Sequence, residues 1–275
     1  TELSQELFKK SNGGDIQNYM CLIREAGREG KVDRAIQLLR HAESKRNCSL
    51  DPAMYNCAMD VCVTNDRMDH ARALLAEMSK TGVVNLITFN TLIKGYGAKG
   101  DFVGARSVLR EMEDAGIEPD SASYNSLMGA MVSAGNLAQS LKVLDEMDSR
   151  SVPLDHYTVS IMMKAAKKAR NPKDASKALA VLERANGVKV CEDEVVLNTV
   201  LDACIHRHDT QRLRWVVEEF SSSSMKPSVH TYGLLIKAFS TLKQLPRCWK
   251  VWKEMVQTRE IVPSSITLSC MLDAL

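Results

Sequence analysis

A block of helical pattern returns along this chain every 34 to 35 residues. "AMYNCAMDVCVTNDRMDHARALLAEM" (53–78), "ITFNTLIKGYGAKGDFVGARSVLREM" (87–112) and "ASYNSLMGAMVSAGNLAQSLKVLDEM" (122–147) align without gaps. Tyr55 to Phe89 is 34 residues, and Phe89 to Tyr124 is 35. Each block has an apolar stripe at i, i+3, i+4, i+7, a polar or glycine-containing break, a second apolar stripe, then Glu-Met. That is a hairpin of two short amphipathic helices, and a single hairpin cannot cover its own apolar face. Copies in series must stack, which makes a helical solenoid the economical fold.

Weaker copies occupy 18–42, 158–182, 196–220 and 231–255, and "TLSCMLDAL" (267–275) opens an eighth. Ala35, Ala71, Ala105 and Ala175 share one position in the second helices, where a small residue lets neighbouring helices approach. Met78, Met112, Met147 and Met255 recur near the end of those helices. Gly30, Gly100 and Gly135 fall in the inter-helix turn, where positive φ is cheap for glycine.

Composition agrees with close-packed helices. Of 275 residues, 45% are hydrophobic but only 5% aromatic, and the net charge is +2. A whole-chain positive field is absent, so contact with nucleic acid has to come from local clustering. The eight cysteines include no C-x-x-C pair and several sit at apolar helical positions, the pattern of core thiols in a reducing compartment. No apolar run approaches the roughly 18 residues of a membrane span. No transit peptide is visible, although the chain opens abruptly and one could have been removed.

The pattern "TFNTLIKGYGAKGD…ARSVLREMEDAGIEPD" resembles the pentatricopeptide repeat, the 35-residue helical hairpin of organellar RNA-binding proteins. The fuller copies are 86–120 and 121–155, and the likeness runs from about Ile16 to the C-terminus. The Trp/Leu-Gly/Tyr pattern of the tetratricopeptide repeat is missing. The expected fold is all-α: a right-handed α-solenoid of stacked helix–turn–helix hairpins, about seven repeats of 34–38 residues plus a partial one. The expected repeats are 16–51, 52–85, 86–120, 121–155, 156–193, 194–228 and 229–264, with 265–275 starting an eighth. Residues 1–15 are an N-terminal flank that could close a preceding repeat. Repeat 5 carries extra residues around "NGVKVCED", and repeats 6 and 7 lack the turn glycine.

Asparagine recurs one step past the start of the apolar stripe in "TFNTL", "SYNSL" and "VLNTV". With the first residue of each repeat as position 1, Asn90 is position 5, the core stripe is 4, 7, 8, 11, and positions 2, 5 and 9 form a neighbouring stripe. Stacked hairpins would present that stripe as a ladder, one rung per repeat. An apolar residue can lie on a base face, an amide can meet a base edge, and a lysine can meet phosphate. The alternative is that the asparagines cap or bond the neighbouring hairpin.

The resemblance implies a second determinant, the last residue of each repeat. It pairs Asn56 with Asn85, Asn90 with Asp120, Asn125 with Asp155, Ser160 with Asp193, and Asn198 with Ser228. In the family, Asn-with-Asp favours uracil, Asn-with-Asn or Asn-with-Ser cytosine or uracil, and Ser-with-Asp guanine. The implied core is 5′-N-(C/U)-U-U-G-(C/U)-N-3′. Met20 and Gly233 are not readable types, so the outer rungs are unassigned. Ile87, Tyr157 and Val195 at position 2, with Lys94, Lys164 and Lys168, are the candidates for stacking or phosphate contact. Against them, Asp60, Asp202 and Asp273 occupy position 9, where an anion repels phosphate.

No catalytic constellation is found. His206 and His208 in "DACIHRHD" are two apart on a helix and diverge, so no metal is expected, and no cofactor. Two classes of function follow, neither enzymatic. One is sequence-selective binding of single-stranded RNA in a mitochondrion or plastid, acting in transcript stability, processing or translation. The other is a helical scaffold among the subunits of an organellar ribonucleoprotein or transcription complex.

Overall fold

The structure, a computed structural model, describes residues 16–46, 51–185 and 187–275. The expected N-terminal flank 1–15 lies outside the described residues, as does Cys48. Among the described residues every regular element is helical. The chain divides into two compact units, residues 1–134 and 135–275, and each is an α-solenoid run of stacked hairpins.

The first unit contains α1 (Ile16–Arg28), α2 (Val32–Arg46), α3 (Pro52–Thr64), α4 (Met68–Thr81), α5 (Leu86–Ala98), α6 (Phe102–Asp114) and α7 (Ser121–Ser133). First helices pack in series, α1 on α3, α3 on α5 and α5 on α7, while α2, α4 and α6 each pack on the next first helix. The second unit contains α8 (Leu137–Ser149), α9 (His156–Lys168), α10 (Pro172–Leu179), α11 (Val181–Arg184), α12 (Glu194–Arg207), α13 (Thr210–Ser221), α14 (Val229–Thr241), α15 (Leu245–Lys253) and α16 (Ser265–Leu272). Here α9 packs on α12, α12 on α14 and α14 on α16. In α5 the stripe Phe89, Leu92 and Ile93 is fully buried, each side chain contributing about 1.5–3 kcal/mol.

Helix starts are set by caps. Asp51, Asn85, Asp120, Asp155, Asp193, Ser228 and Ser264 each N-cap a first helix with the side chain. At Asn85, Asp120 and Asp155 the cap is reciprocal, since Thr88, Ser123 or Thr158 returns a bond to the cap residue's own N–H. Those position-3 hydroxyls are buried, and a lost cap costs about 1 kcal/mol.

The break between helices keeps one conformation. Gly30, Gly100 and Gly135 have φ of 71–78°, and Asp66, His208 and Lys243 take the same left-handed region at the equivalent place. The turn of repeats 6 and 7 is therefore retained without glycine. Repeat 5 departs differently: its second helix breaks at Ala180, and the added stretch, whose Asn186 lies outside the described residues, contains a 3₁₀ turn, Val190–Glu192. Val190 and Cys191 are buried there, so the insertion joins the core against α12 and α13.

One position, the fourteenth, fastens three of the hairpins to the one before. Asn65 Nδ2 donates to Gly27 O at 3.1 Å, Lys99 Nζ reaches Asp66 O at 3.4 Å, and Arg207 donates to the carbonyls of Ala166, Lys167 and Ala169. The last carbonyls of a helix lack intrahelical donors, and these side chains supply them.

Candidate nucleic-acid interface

Position 2 of the first helices points to solvent while positions 4, 7 and 8 are buried from α1 to α14, as the helical period requires; in α16 Leu268 and Leu272, at positions 4 and 8, are exposed as well. Ile87 is 61% exposed, Tyr157 63% and Val195 70%. Ile266, the same position of α16, is 70% exposed and was missed by the sequence reading, although its place two residues into the eighth repeat identifies it. The Tyr157 ring lies beside His156, with centroids 4.1 Å apart.

Position 5 and the cap residue of the next first helix meet in the first unit. Asn90 Nδ2 stands 3.5 Å from Asp120 Oδ1, at the outer limit of a hydrogen bond. Asp120 Oδ1 also accepts from Ser123 N and Ser123 Oγ, both at 2.9 Å, while its Oδ2 takes no bond. Asn90 Oδ1 is buried with no partner. An unmatched buried acceptor costs about 1–3 kcal/mol, which a ligand's donor would recover. Asp120 thus has one oxygen fixed by the helix start and one left over.

Asn56 differs. It is only 7% exposed, its Nδ2 donates to Asn85 Oδ1 at 3.1 Å, and its Oδ1 accepts from Thr88 Oγ1 at 2.8 Å. At this rung the asparagine does bond the neighbouring hairpin, and the Asn85 amide nitrogen remains open. Asn125 is buried on α7 in the first unit; Asp155, in the second, caps α9 through Thr158 N at 2.8 Å.

In the second unit the paired side chains do not bond directly. Ser160 is half-buried on α9, and Asp193 accepts from Val195 N at 2.7 Å and Val196 N at 3.2 Å. Asn198 Oδ1 is buried without a partner, like Asn90 Oδ1. Ser228 is exposed and caps α14 through Thr231 N at 3.4 Å.

Lys94 and Lys164 are exposed at position 9, and Lys168 is exposed in the last turn of α9. Lys94 lines an open groove of about 670 Å³ with Gly97, Lys99, Asn125, Gly129 and Ser133. Lys99 is held by Asp66 at 2.8 Å. Lys167 is paired with Asp202, which offsets the position-9 anion that sequence alone sets against phosphate. Among the described residues no group of three or more His, Cys, Asp or Glu could hold a metal ion, and no helix is long and apolar enough to cross a membrane.

Known proteins share this repeat. The PPR repeat family matches residues 84–133 and 119–168, the pentatricopeptide repeat domain matches 37–99, and a PPR repeat matches 230–258. A chloroplastic pentatricopeptide repeat-containing protein of Arabidopsis thaliana is 30% identical over 90% of this chain and 32% of its own length. The chain therefore spans about a third of that relative. A large ribosomal subunit protein of Arabidopsis thaliana, mL102, is 23% identical over 48% of this chain and 18% of its own length. The crystal structure of the pentatricopeptide repeat protein PPR10 with an 18-nucleotide psaJ RNA element superposes with a TM-score of 0.50 at 20% identity, over 94% of this chain and 46% of that one. Matches to the repeat along most of the first 168 residues and again near the C-terminus place the chain in the pentatricopeptide repeat family.

Proposed function

We propose that this chain binds single-stranded RNA in a plastid or mitochondrion, one base per repeat, and acts in transcript stability, processing or translation without catalysing a reaction. The observation that carries the reading is the exposure of Ile87, Tyr157, Val195 and Ile266 at one repeat position. Scattered apolar residues on a surface need no explanation, but four at a single register do. Bases laid against such side chains gain about 1–3 kcal/mol each.

The polar groups beside them supply the edge contacts. Asn90, Asp120 and Asn198 keep unfilled acceptors, and Asn85 keeps a donor. Asn125, Asp155, Ser160, Asp193, Ser228 and Asn56 complete the proposed series, with Lys94, Lys164 and Lys168 near the phosphates. The expected core remains 5′-N-(C/U)-U-U-G-(C/U)-N-3′, the Asn56 rung contributing least because its amide is already engaged. The relative PPR10 was crystallised with RNA, and the Arabidopsis relative is chloroplastic, which supports the partner and the compartment.

Fluorescence anisotropy with 10-mers containing CUUGC, against a control with purines at the two central uridines, tests this at two salt concentrations. A preference of about tenfold, lost in Asn90→Ala/Asn125→Ala while helicity persists, is expected. Equal weak binding that vanishes with salt would leave only phosphate attraction. A scaffold role in an organellar ribonucleoprotein would then lead, a reading that the likeness to a ribosomal subunit protein favours.

A further inference from the structure

The sixth rung has an extra member. Glu194, the first residue of α12, lies one helical turn before Asn198, so the two share a face. Its Oε1 accepts from Ser228 N at 2.7 Å and from Thr231 Oγ1 at 2.5 Å. Thr231 is the third residue of α14, as Ser123 is the third residue of α7. At the third rung that hydroxyl is held by Asp120, the carboxylate standing 3.5 Å from the Asn90 amide. At the sixth rung it is held by Glu194, from the preceding repeat. Ser228 has no carboxylate, but a carboxylate occupies the corresponding place.

We propose that Glu194 is a specificity-determining residue at the sixth rung, making that position select uracil over cytosine. The inference rests on the RNA reading above. Both of those bonds end on Glu194 Oε1, leaving Oε2 for a ligand's donor, and Asn198 Oδ1 on the same helix is a buried, unmatched acceptor. Two open acceptors call for a donor at the centre of the base edge. Uracil offers N3–H there. Cytosine offers an N3 lone pair, and its N4–H can reach a carboxylate oxygen only by bringing that lone pair alongside. The bonds from Thr231 and Ser228 hold the Glu194 carboxyl below the usual carboxylate range, so it is ionised at neutral pH.

The test compares 10-mers that differ only in uracil or cytosine opposite the sixth rung, for the wild type, Glu194→Gln, and Glu194→Gln with Ser228→Asp. Glutamine keeps an oxygen for Ser228 N and Thr231 Oγ1, and an unchanged melting temperature checks that the cap survives. The wild type should prefer uracil by about tenfold or more, the scale of one hydrogen bond to a charged group. Glu194→Gln should lose that preference yet still discriminate at the central uridines, and Ser228→Asp should restore it. A preference unchanged in Glu194→Gln, or a wild-type preference for cytosine, overturns the assignment while leaving RNA binding intact. Absence of discrimination at the central uridines in the wild type overturns the RNA reading, and this inference with it.

Discussion

Gly97 on α5 faces Ala130 on α7 so closely that a methyl group on its α-carbon would stand 2.4 Å from the alanine Cβ. Gly97→Ala should gain about 1 kcal/mol of helix propensity, yet overpacking costs about 1–3 kcal/mol. The obstacle is a Cβ fixed to backbone, so the clash is expected to win. The melting temperature should fall by about 2–4 °C for each kcal/mol lost. A rise would show that the two first helices have room to separate.

Arg207 closes the end of α9 through three carbonyls, with Nε to Ala166 O at 2.5 Å and Nη2 to Lys167 O at 2.8 Å among them. A guanidinium at a helix C-terminus meets both the unpaired carbonyls and the negative end of the helix dipole. Arg207→Ala should destabilise the protein by about 1.5–3 kcal/mol, measured by urea titration. Arg207→Lys should recover part of that, because one ammonium cannot span the same carbonyls. Equal losses in the two variants would mean the guanidinium fork is not what fastens the hairpins.

His208 and Lys243 hold φ of 52° and 57°, where Gly30, Gly100 and Gly135 stand in other repeats. A side chain in the left-handed region costs about 1–2 kcal/mol, and glycine gives back part of that gain as chain entropy. Lys243→Gly and His208→Gly should each stabilise by about 0.5–1 kcal/mol. Gly100→Ala should act in the opposite sense. Thermal melts of the three variants check the signs together.

What could be read from sequence follows from what is local. Helix starts at 52, 86, 121, 156, 194, 229 and 265 coincide with the period, because a cap residue and an apolar stripe are both short-range signals. Contacts between repeats are not. Asp120 reads as a base determinant, but its hold on Ser123 is visible only once the helix is known to start at Ser121. Lys167 and Asp202 are 35 residues apart, and only the stacking of repeats brings this cation and this anion into a pair. Asn56 reads like Asn90, yet Thr88, 32 residues on, engages it and leaves Asn90 unengaged at the same atom.

Burial sets a pH limit. It pushes the Cys62 thiol up to about 11, and those of Cys191 and Cys204 up to about 12. The folded state binds these protons more tightly than the unfolded chain does. The stabilisation is complete below the ordinary thiol value and is lost as pH rises through the folded values. Denaturant midpoints should therefore fall between about pH 9 and 12. Cys191→Ala/Cys204→Ala should flatten that limb. In the native protein at pH 8, exposed Cys21 should react with a maleimide while Cys62, Cys191 and Cys204 do not.

Tyr157 and Lys164 sit at positions 2 and 9 of the same first helix, and the RNA reading gives them separable roles. Tyr157→Ala removes a stacking surface and no charge. It should weaken binding of the CUUGC 10-mer by about 1–3 kcal/mol and leave the salt dependence unchanged. Lys164→Ala removes one phosphate contact. It should weaken all sequences alike and lower the slope of log K against log salt by about 0.7, the single-strand value per contact. The exposed position of both side chains predicts unchanged melting temperatures, so a loss of binding cannot be charged to unfolding. If Tyr157→Ala bends the salt slope while Lys164→Ala does not, the base and backbone sides of the helix have been assigned the wrong way round.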